Sequence, residues 1–200
     1  MSDQSITSLT QEEMDAVLYD AREGDLQTLQ EIFSEVPAHL LKTIKDEYTL
    51  SNIIHMAAGN GHLQILTYLL GLLPRADAVE LASQVNDTGN TPLHWAAYNG
   101  HLDIVKVLVE EYEGDVYAKN EAGHDVMFEA ENNNREEVES WLLQRFSVEE
   151  AFDVTEDGEN TKITYKPGTE SKEADEKAKE ATFTSEIEAG TASLTVEDRV

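Results

Sequence analysis

The side chains of this 200-residue chain that could do chemistry are six histidines and 41 aspartates and glutamates. Imidazoles and carboxylates brought together ligate divalent metals or pass protons. The spacing supports neither use. There is no cysteine, which removes thiolate nucleophiles, Cys-based metal sites and any disulfide framework. No H-E-x-x-H run sets two imidazoles on one helix face. Acidic neighbours such as Glu12/Glu13 and Glu136/Glu137 lie side by side on solvated helices, whereas a hydrolytic pair must face across a cleft. G-x-S-x-G, P-loop and G-x-G-x-x-G patterns are also missing. The chain is therefore expected to hold no metal or cofactor and not to be an enzyme.

Two of the histidines mark a repeat instead. His94 sits in Thr91-Pro92-Leu93-His94-Trp95-Ala96-Ala97, followed by Asn99-Gly100-His101-Leu102-Asp103-Ile104-Val105. His55 sits in a near copy, Ile54-His55-Met56-Ala57-Ala58-Gly59-Asn60-Gly61-His62-Leu63. The first run matches the T-P-L-H-x-A signature of an ankyrin repeat. Thr91 is suited to cap a helix and Pro92 to its first turn. Asn60-Gly61 and Asn99-Gly100 lie between patterns of helical period, so they read as left-handed helix ends and not as hairpins. Aligning the turn residues Gly24, Gly61, Gly100 and Asn134 gives four repeats, about 12–44, 45–84, 85–118 and 119–146. The first lacks the Thr-Pro start and the histidine. The last follows the register as Gly123-His124-Asp125-Val126-Met127-Phe128-Glu129-Ala130. Atypical ends are expected where a stack must present a polar outer face. Ile104, Val105, Leu108 and Val109 should form one buried helix face, and Val138, Trp141, Leu142 and Phe146 the corresponding face of the last helix. The expected fold is all-α: an ankyrin solenoid of helix-turn-helix repeats with short β-turn fingers.

The segments outside the array are legible by composition. His55 and His94 are 39 positions apart, against a usual period of about 33. The surplus falls at 71–84, with an extra helical turn expected at 76–83. Such an insertion reads either as a functional element or as surface lengthening that costs little. Residues 147–200 hold fifteen acidic and six basic residues and few apolar ones. They read as an acidic, largely disordered tail, with a transient helix at 169–188 and isolated anchors Ile163, Tyr165, Phe183 and Ile187. The start of the sequence shows neither a basic n-region nor an apolar h-region. No apolar run approaches a membrane span, and the expected location is cytoplasm and nucleus. A net charge of −27 argues against nucleic acid and anionic membranes and favours a basic partner reached by electrostatic steering.

In ankyrin arrays the first-helix positions not used for stacking line the inner, concave face. Here they are Tyr19, Arg22 and Glu23, then Met56, Gly59 and Asn60, then Trp95, Tyr98 and Asn99, then Glu129, Asn132 and Asn133. The fingers add Asp46, Glu47 and Tyr48, then Asp87, Thr88 and Asn90, then Lys119, Asn120 and Glu121. From this set Trp95, Tyr98, Asp87, Glu129, Asn132, Asp46, Glu47, Tyr48, Tyr19 and Arg22 form the expected partner-binding surface. Aromatic residues are common interface anchors, and acids around them suit a cationic partner. For Trp95 and Tyr98 a second reading stands beside this one, in which the rings simply cover neighbouring helices.

The four-repeat layout, the insertion before the third finger, Gly89-Asn90-Thr91-Pro92-Leu93-His94-Trp95, the unusual Gly123–Asn132 run and the acidic tail together resemble the fungal ankyrin-repeat chaperones dedicated to small-subunit ribosomal protein three. The resemblance implies a client that is a basic, RNA-binding KH-domain protein. It implies holding the newly made client soluble as a heterodimer, accompanying it to the nucleus and releasing it during small-subunit assembly. It also implies that His55 and His94 serve hydrogen bonds between repeats. Two other functions fit the residues: a general ankyrin adaptor in signalling or transcription, and an acidic inhibitor that mimics nucleic acid.

Overall fold

A computed structural model describes residues 6–146, 152–157 and 160–165. Met1–Leu142 form one compact part and Leu143–Val200 a second. The first is built from helix pairs: α1 (Gln11–Glu23) with α2 (Leu26–Glu35), α3 (Ile53–Gly59) with α4 (Leu63–Gly71), and α6 (Pro92–Asn99) with α7 (Leu102–Glu110). A further helix, α5 (Arg75–Ser83), lies between the second and third pairs, and α8 (Val126–Asn132) and α9 (Glu136–Phe146) make the fourth. The first helices α1, α3, α6 and α8 pack side by side in that order. Each repeat is too small to bury its own apolar face, and stacking supplies the burial. Ile54, Leu66, Leu69, Leu93, Ile104 and Leu108 are all fully covered, and Val138 and Leu142 of α9 likewise. Val109, Trp141 and Phe146, expected in the same faces, are only half-buried.

Local chemistry sets the helix starts. Thr91 Oγ1 accepts from His94 N, Asn52 Oδ1 from Ile54 N and His55 N, and Thr10 Oγ1 from Glu13 N. These bonds satisfy N–H groups that the first turn cannot pair internally. Asp25 does the same for α2, and Asp125 for α8. The connecting fingers are knit by side-chain turns. Asn86 Oδ1 accepts from Thr88 N and Asn90 N, and Asn120 Oδ1 from Ala122 N and His124 N. Backbone bonds then link finger to finger, from Asp87 N to Thr49 O at 2.8 Å and from Glu121 N to Thr88 O at 3.0 Å.

The insertion departs from expectation. Where one extra turn is expected, α5 is a nine-residue helix that buries Ala78, Leu81 and Ala82 against its neighbours. Lys42 Nζ clamps it, donating to Asp77 at 2.9 Å and Glu80 at 2.6 Å. Asn52 Nδ2 donates to Leu81 O at 3.0 Å. The segment is thus part of the framework, a third reading that loop length alone does not offer. The described part of the tail holds one paired element. Strands β1 (Phe152–Asp157) and β2 (Asn160–Tyr165) pair antiparallel, with Val154 opposite Ile163 and Asp157 opposite Asn160. Val, Thr, Ile and Tyr favour strands. The helix expected at 169–188 and the anchors Phe183 and Ile187 lie outside the described residues.

Candidate functional site

The register of the inner face is fixed at the turns. Gly24, Gly61 and Gly100 have φ of +89°, +81° and +84°, and Asn134 takes +55° in the fourth repeat. Glycine meets a second demand here besides the left-handed backbone. A Cβ on Gly24 would stand 2.7 Å from the His62 ring, and one on Gly61 2.8 Å from the His101 ring. Those rings are close because the residue after each turn reaches back to the previous repeat. His62 Nε2 donates to Arg22 O at 2.8 Å, and His101 Nε2 to Gly59 O at 3.1 Å. Arg135 Nε does the same to Tyr98 O at 2.8 Å. Arg135 was not among the expected functional residues. The signal for it is its place directly after Asn134, where the second and third repeats carry Gly-His.

A second clasp ties the first helices α3 and α6 to the next finger. His55 Nδ1 accepts from Asn52 N at 3.2 Å, and Nε2 donates to Asn90 O at 2.8 Å. His94 Nδ1 accepts from Thr91 Oγ1 at 2.8 Å, and Nε2 donates to Ala118 O at 3.0 Å. Burial pushes the His55 pKa down to about 4 and lowers that of His94. Both rings are therefore neutral near pH 7, with both nitrogens committed to the frame. Among the described residues no three His, Asp or Glu side chains gather into a metal-binding set, and no helix is long and apolar enough to cross a membrane.

On this frame Tyr19, Met56, Trp95 and Glu129 occupy equivalent positions of α1, α3, α6 and α8, with Arg22, Gly59, Tyr98 and Asn132 one turn further along. Trp95 covers a neighbouring helix, as the second reading of it expects, and leaves part of its ring in the open. One edge of its indole fills the place of a Gly59 side chain, whose Cβ would be 2.8 Å from Cε3, and the ring stands edge-on to His55 at 5.5 Å. The rest lines an open groove of about 340 Å³ with Asn90, His94, Tyr98, Asn99 and Glu129. Tyr98 is 49% exposed. A second groove of about 200 Å³ lies between α1 and α3, lined by Asp15, Leu18, Tyr19, Arg22, Asp46 and Met56. The expected surface thus gathers into two receptacles: Trp95, Tyr98 and Glu129 in one, Tyr19, Arg22 and Asp46 in the other. Asp87, Glu47, Tyr48 and Asn132 are exposed but line neither.

Two expected surface acids have other work. Glu129 is buried, and its Oε1 accepts from Asn120 Nδ2 at 3.0 Å and His124 Nδ1 at 3.2 Å. It is drawn inward because Phe128 takes the place of the clasp histidine and stacks on His124 at 3.9 Å, leaving the His124 and Asn120 donors to be satisfied. Asp46 is half-buried and builds its finger: Oδ1 accepts from Thr49 N at 2.7 Å and Tyr48 N at 3.1 Å. Those bonds hold its carboxyl below the ordinary aspartate range.

Comparison with known proteins agrees with this architecture. A family model described as ankyrin repeats (3 copies) matches residues 17–120. The chain is 42% identical over 181 residues to the ankyrin repeat-containing protein YAR1 of Saccharomyces cerevisiae, covering 86% of this chain and 90% of that protein. It also matches a chain of the crystal structure of the yeast ribosomal protein Rps3 in complex with its chaperone Yar1. There the TM-score is 0.68 and the identity 45%, over 70% of this chain and 97% of that one. Ankyrin repeats of this kind imply a role in protein interaction, and by both the repeat match and the identity to a full-length relative the chain belongs to the ankyrin-repeat family.

Proposed function

We propose that this chain is a dedicated chaperone of the small-subunit ribosomal protein that corresponds to yeast Rps3. The observation that carries the reading is 45% identity to a chain of the Rps3–Yar1 complex, nearly all of which this chain covers. The chain holds one copy of the newly made protein as a heterodimer, keeps it soluble, and supports its delivery to the nucleus and its assembly. It works in cytoplasm and nucleus and catalyses no reaction. Its charge suits the task. Residues 1–146 alone carry 26 acidic and eight basic residues. A free ribosomal protein exposes cationic surface that its RNA later neutralises, and an acidic sleeve covers that surface in the interval.

Affinity capture of the full chain from cell extract, read by mass spectrometry, tests the proposal. One small-subunit ribosomal protein should dominate at near-equal amount. Recovery of a signalling complex instead would make this a general adaptor. Recovery of a nuclease or polymerase would make it a nucleic-acid mimic.

A further inference from the structure

Glu129 is a carboxylate with one half unprovided for. Its side chain is 11% exposed. Oε1 has two donors, Asn120 Nδ2 and His124 Nδ1, whereas among the described residues no group donates to Oε2. A nearly buried carboxylate with an oxygen that lacks a donor is costly, and Glu129 is one of the residues that line the α6–α8 groove. The same groove is walled by Trp95 and Tyr98. Aromatic faces attract cations, and an indole does so most strongly. No lysine or arginine is among the groove's lining residues. Arg135, whose guanidinium bonds the backbone of a groove residue, spends its Nε on Tyr98 O at 2.8 Å. Buried acid, aromatic walls and the absence of a resident cation all point to one kind of occupant.

We propose that the α6–α8 groove is a subsite for a single cationic side chain of the client, arginine in preference to lysine. A guanidinium lies flat against Trp95 and Tyr98 and donates to Glu129 Oε2. Its planar, weakly hydrated head suits stacking and carboxylate pairing together, while an ammonium offers only a point charge. The client's identity rests on the chaperone reading, but the chemistry of the groove does not.

Two measurements on the full chain separate the two. In the first, the indole N–H signals of Trp95 and Trp141 are followed by NMR during titration with N-acetyl-arginine amide, and with the citrulline analogue of the same shape without charge. The Trp95 signal should move with the arginine probe and stay with the citrulline probe, Trp141 should stay throughout, and Glu129→Gln should abolish the response. A Trp95 signal that ignores the arginine probe, or responds equally to citrulline or in Glu129→Gln, overturns the subsite. In the second, calorimetry with the ribosomal protein should show binding weakened about tenfold by Glu129→Gln. Tyr98→Ala, on an exposed ring outside the core, carries this arm if Glu129→Gln melts early. Full affinity in the folded variants overturns the subsite and leaves the chaperone reading intact. A wild-type chain that ignores the ribosomal protein overturns the chaperone reading, and the probe titration still decides the groove.

Discussion

Repeats three and four share a backbone plan and differ at almost every position that defines it. Repeat three has Thr91 as cap, His94 as clasp, Gly100 at the turn and His101 reaching back. Repeat four has Asp125, Phe128, Asn134 and Arg135 in those places. Three of the four exchanges preserve the geometry. Asp125 caps Phe128 N at 2.9 Å, Asn134 holds the left-handed turn, and Arg135 makes the carbonyl bond its histidine counterparts make. The fourth does not. Phe128 cannot bridge to a following finger, and it lies 40% exposed. Among the described residues no further finger follows it in the stack. The repeat frame is therefore a set of hydrogen-bonding tasks that several residues can meet, and it is relaxed where the neighbour that set the task is gone.

The largest expected effect tests whether the two repeats differ in packing as well as in clasp. Leu108 of α7 and Leu142 of α9 are both 1% exposed. Leu108→Ala should cost about 2–5 kcal/mol through the cavity it leaves, and Leu142→Ala should fall at or below the low end of that range, because among the described residues a repeat precedes its helix and none follows. Urea melts of both variants give the difference directly. Equal losses would mean that the last repeat is as tightly locked as an inner one.

The clasp is tested by pH. The His55 pKa is about 4 in the folded chain, against an ordinary 6.5. Between those values the unfolded chain takes up a proton that the folded chain refuses, so stability is full above pH 6.5 and falls as the pH drops towards 4. The loss should be about 3 kcal/mol. His94, lowered in the same direction, adds to it. A His55→Gln variant should show a flatter profile across that window, whereas Phe128→His should leave it unchanged. An unaltered slope in His55→Gln would put the titration elsewhere.

The turns give smaller numbers. Gly100→Ala must accept φ of +84° and push aside the Arg135 side chain, whose Cδ would be 2.9 Å away. Gly61→Ala must accept a similar backbone and displace the rigid His101 ring from its bond to Gly59 O. Left-handed strain alone costs about 1–2 kcal/mol. Gly61→Ala should exceed Gly100→Ala because a flexible arginine yields more cheaply than a ring. Thermal melts that rank them the other way would mean that the Arg135 bond matters more than its flexibility suggests.

The smallest effect concerns binding. Asp87 is exposed and makes no side-chain bond in its finger, so Asp87→Lys should leave the melt unchanged while weakening the client by about 1 kcal/mol. Stopped-flow kinetics should place the loss in the association rate, and it should shrink as salt rises. A loss confined to dissociation would make Asp87 a direct contact.

Much of this frame was legible in the residues. Helical period, turn glycines and the Thr-Pro-Leu-His run specify local structure, and local structure is what a linear sequence encodes best. The burial of Glu129 was not legible, because an acid at an inward position ordinarily stays in water. Its capture depends on Asn120 and His124, two donors that only the folded finger brings together. Helix α5 is legible to within one residue of its bounds, but its three buried positions are not, because a run of mixed polarity hides them. Their cover comes from the neighbouring helices α4 and α6, and the Lys42 clamp from the first repeat. Asp46 was read as a free charge because sequence does not show which carboxylate oxygens a turn will consume.

The ring of Trp95 laid over Gly59 covers part of the junction between α3 and α6, and the two grooves described lie on either side of it, one between α1 and α3 and one between α6 and α8. A partner long enough to fill both is held bivalently. Once one end is seated, the other samples its groove at an effective concentration set by the span and not by the bulk. Each contact can then be weak and fast while the pair together dwells long. Removing one contact from the client leaves it free to be recaptured. Release becomes abrupt only when a competitor, such as the client's final RNA site, takes one end and keeps it from rebinding while the other lets go.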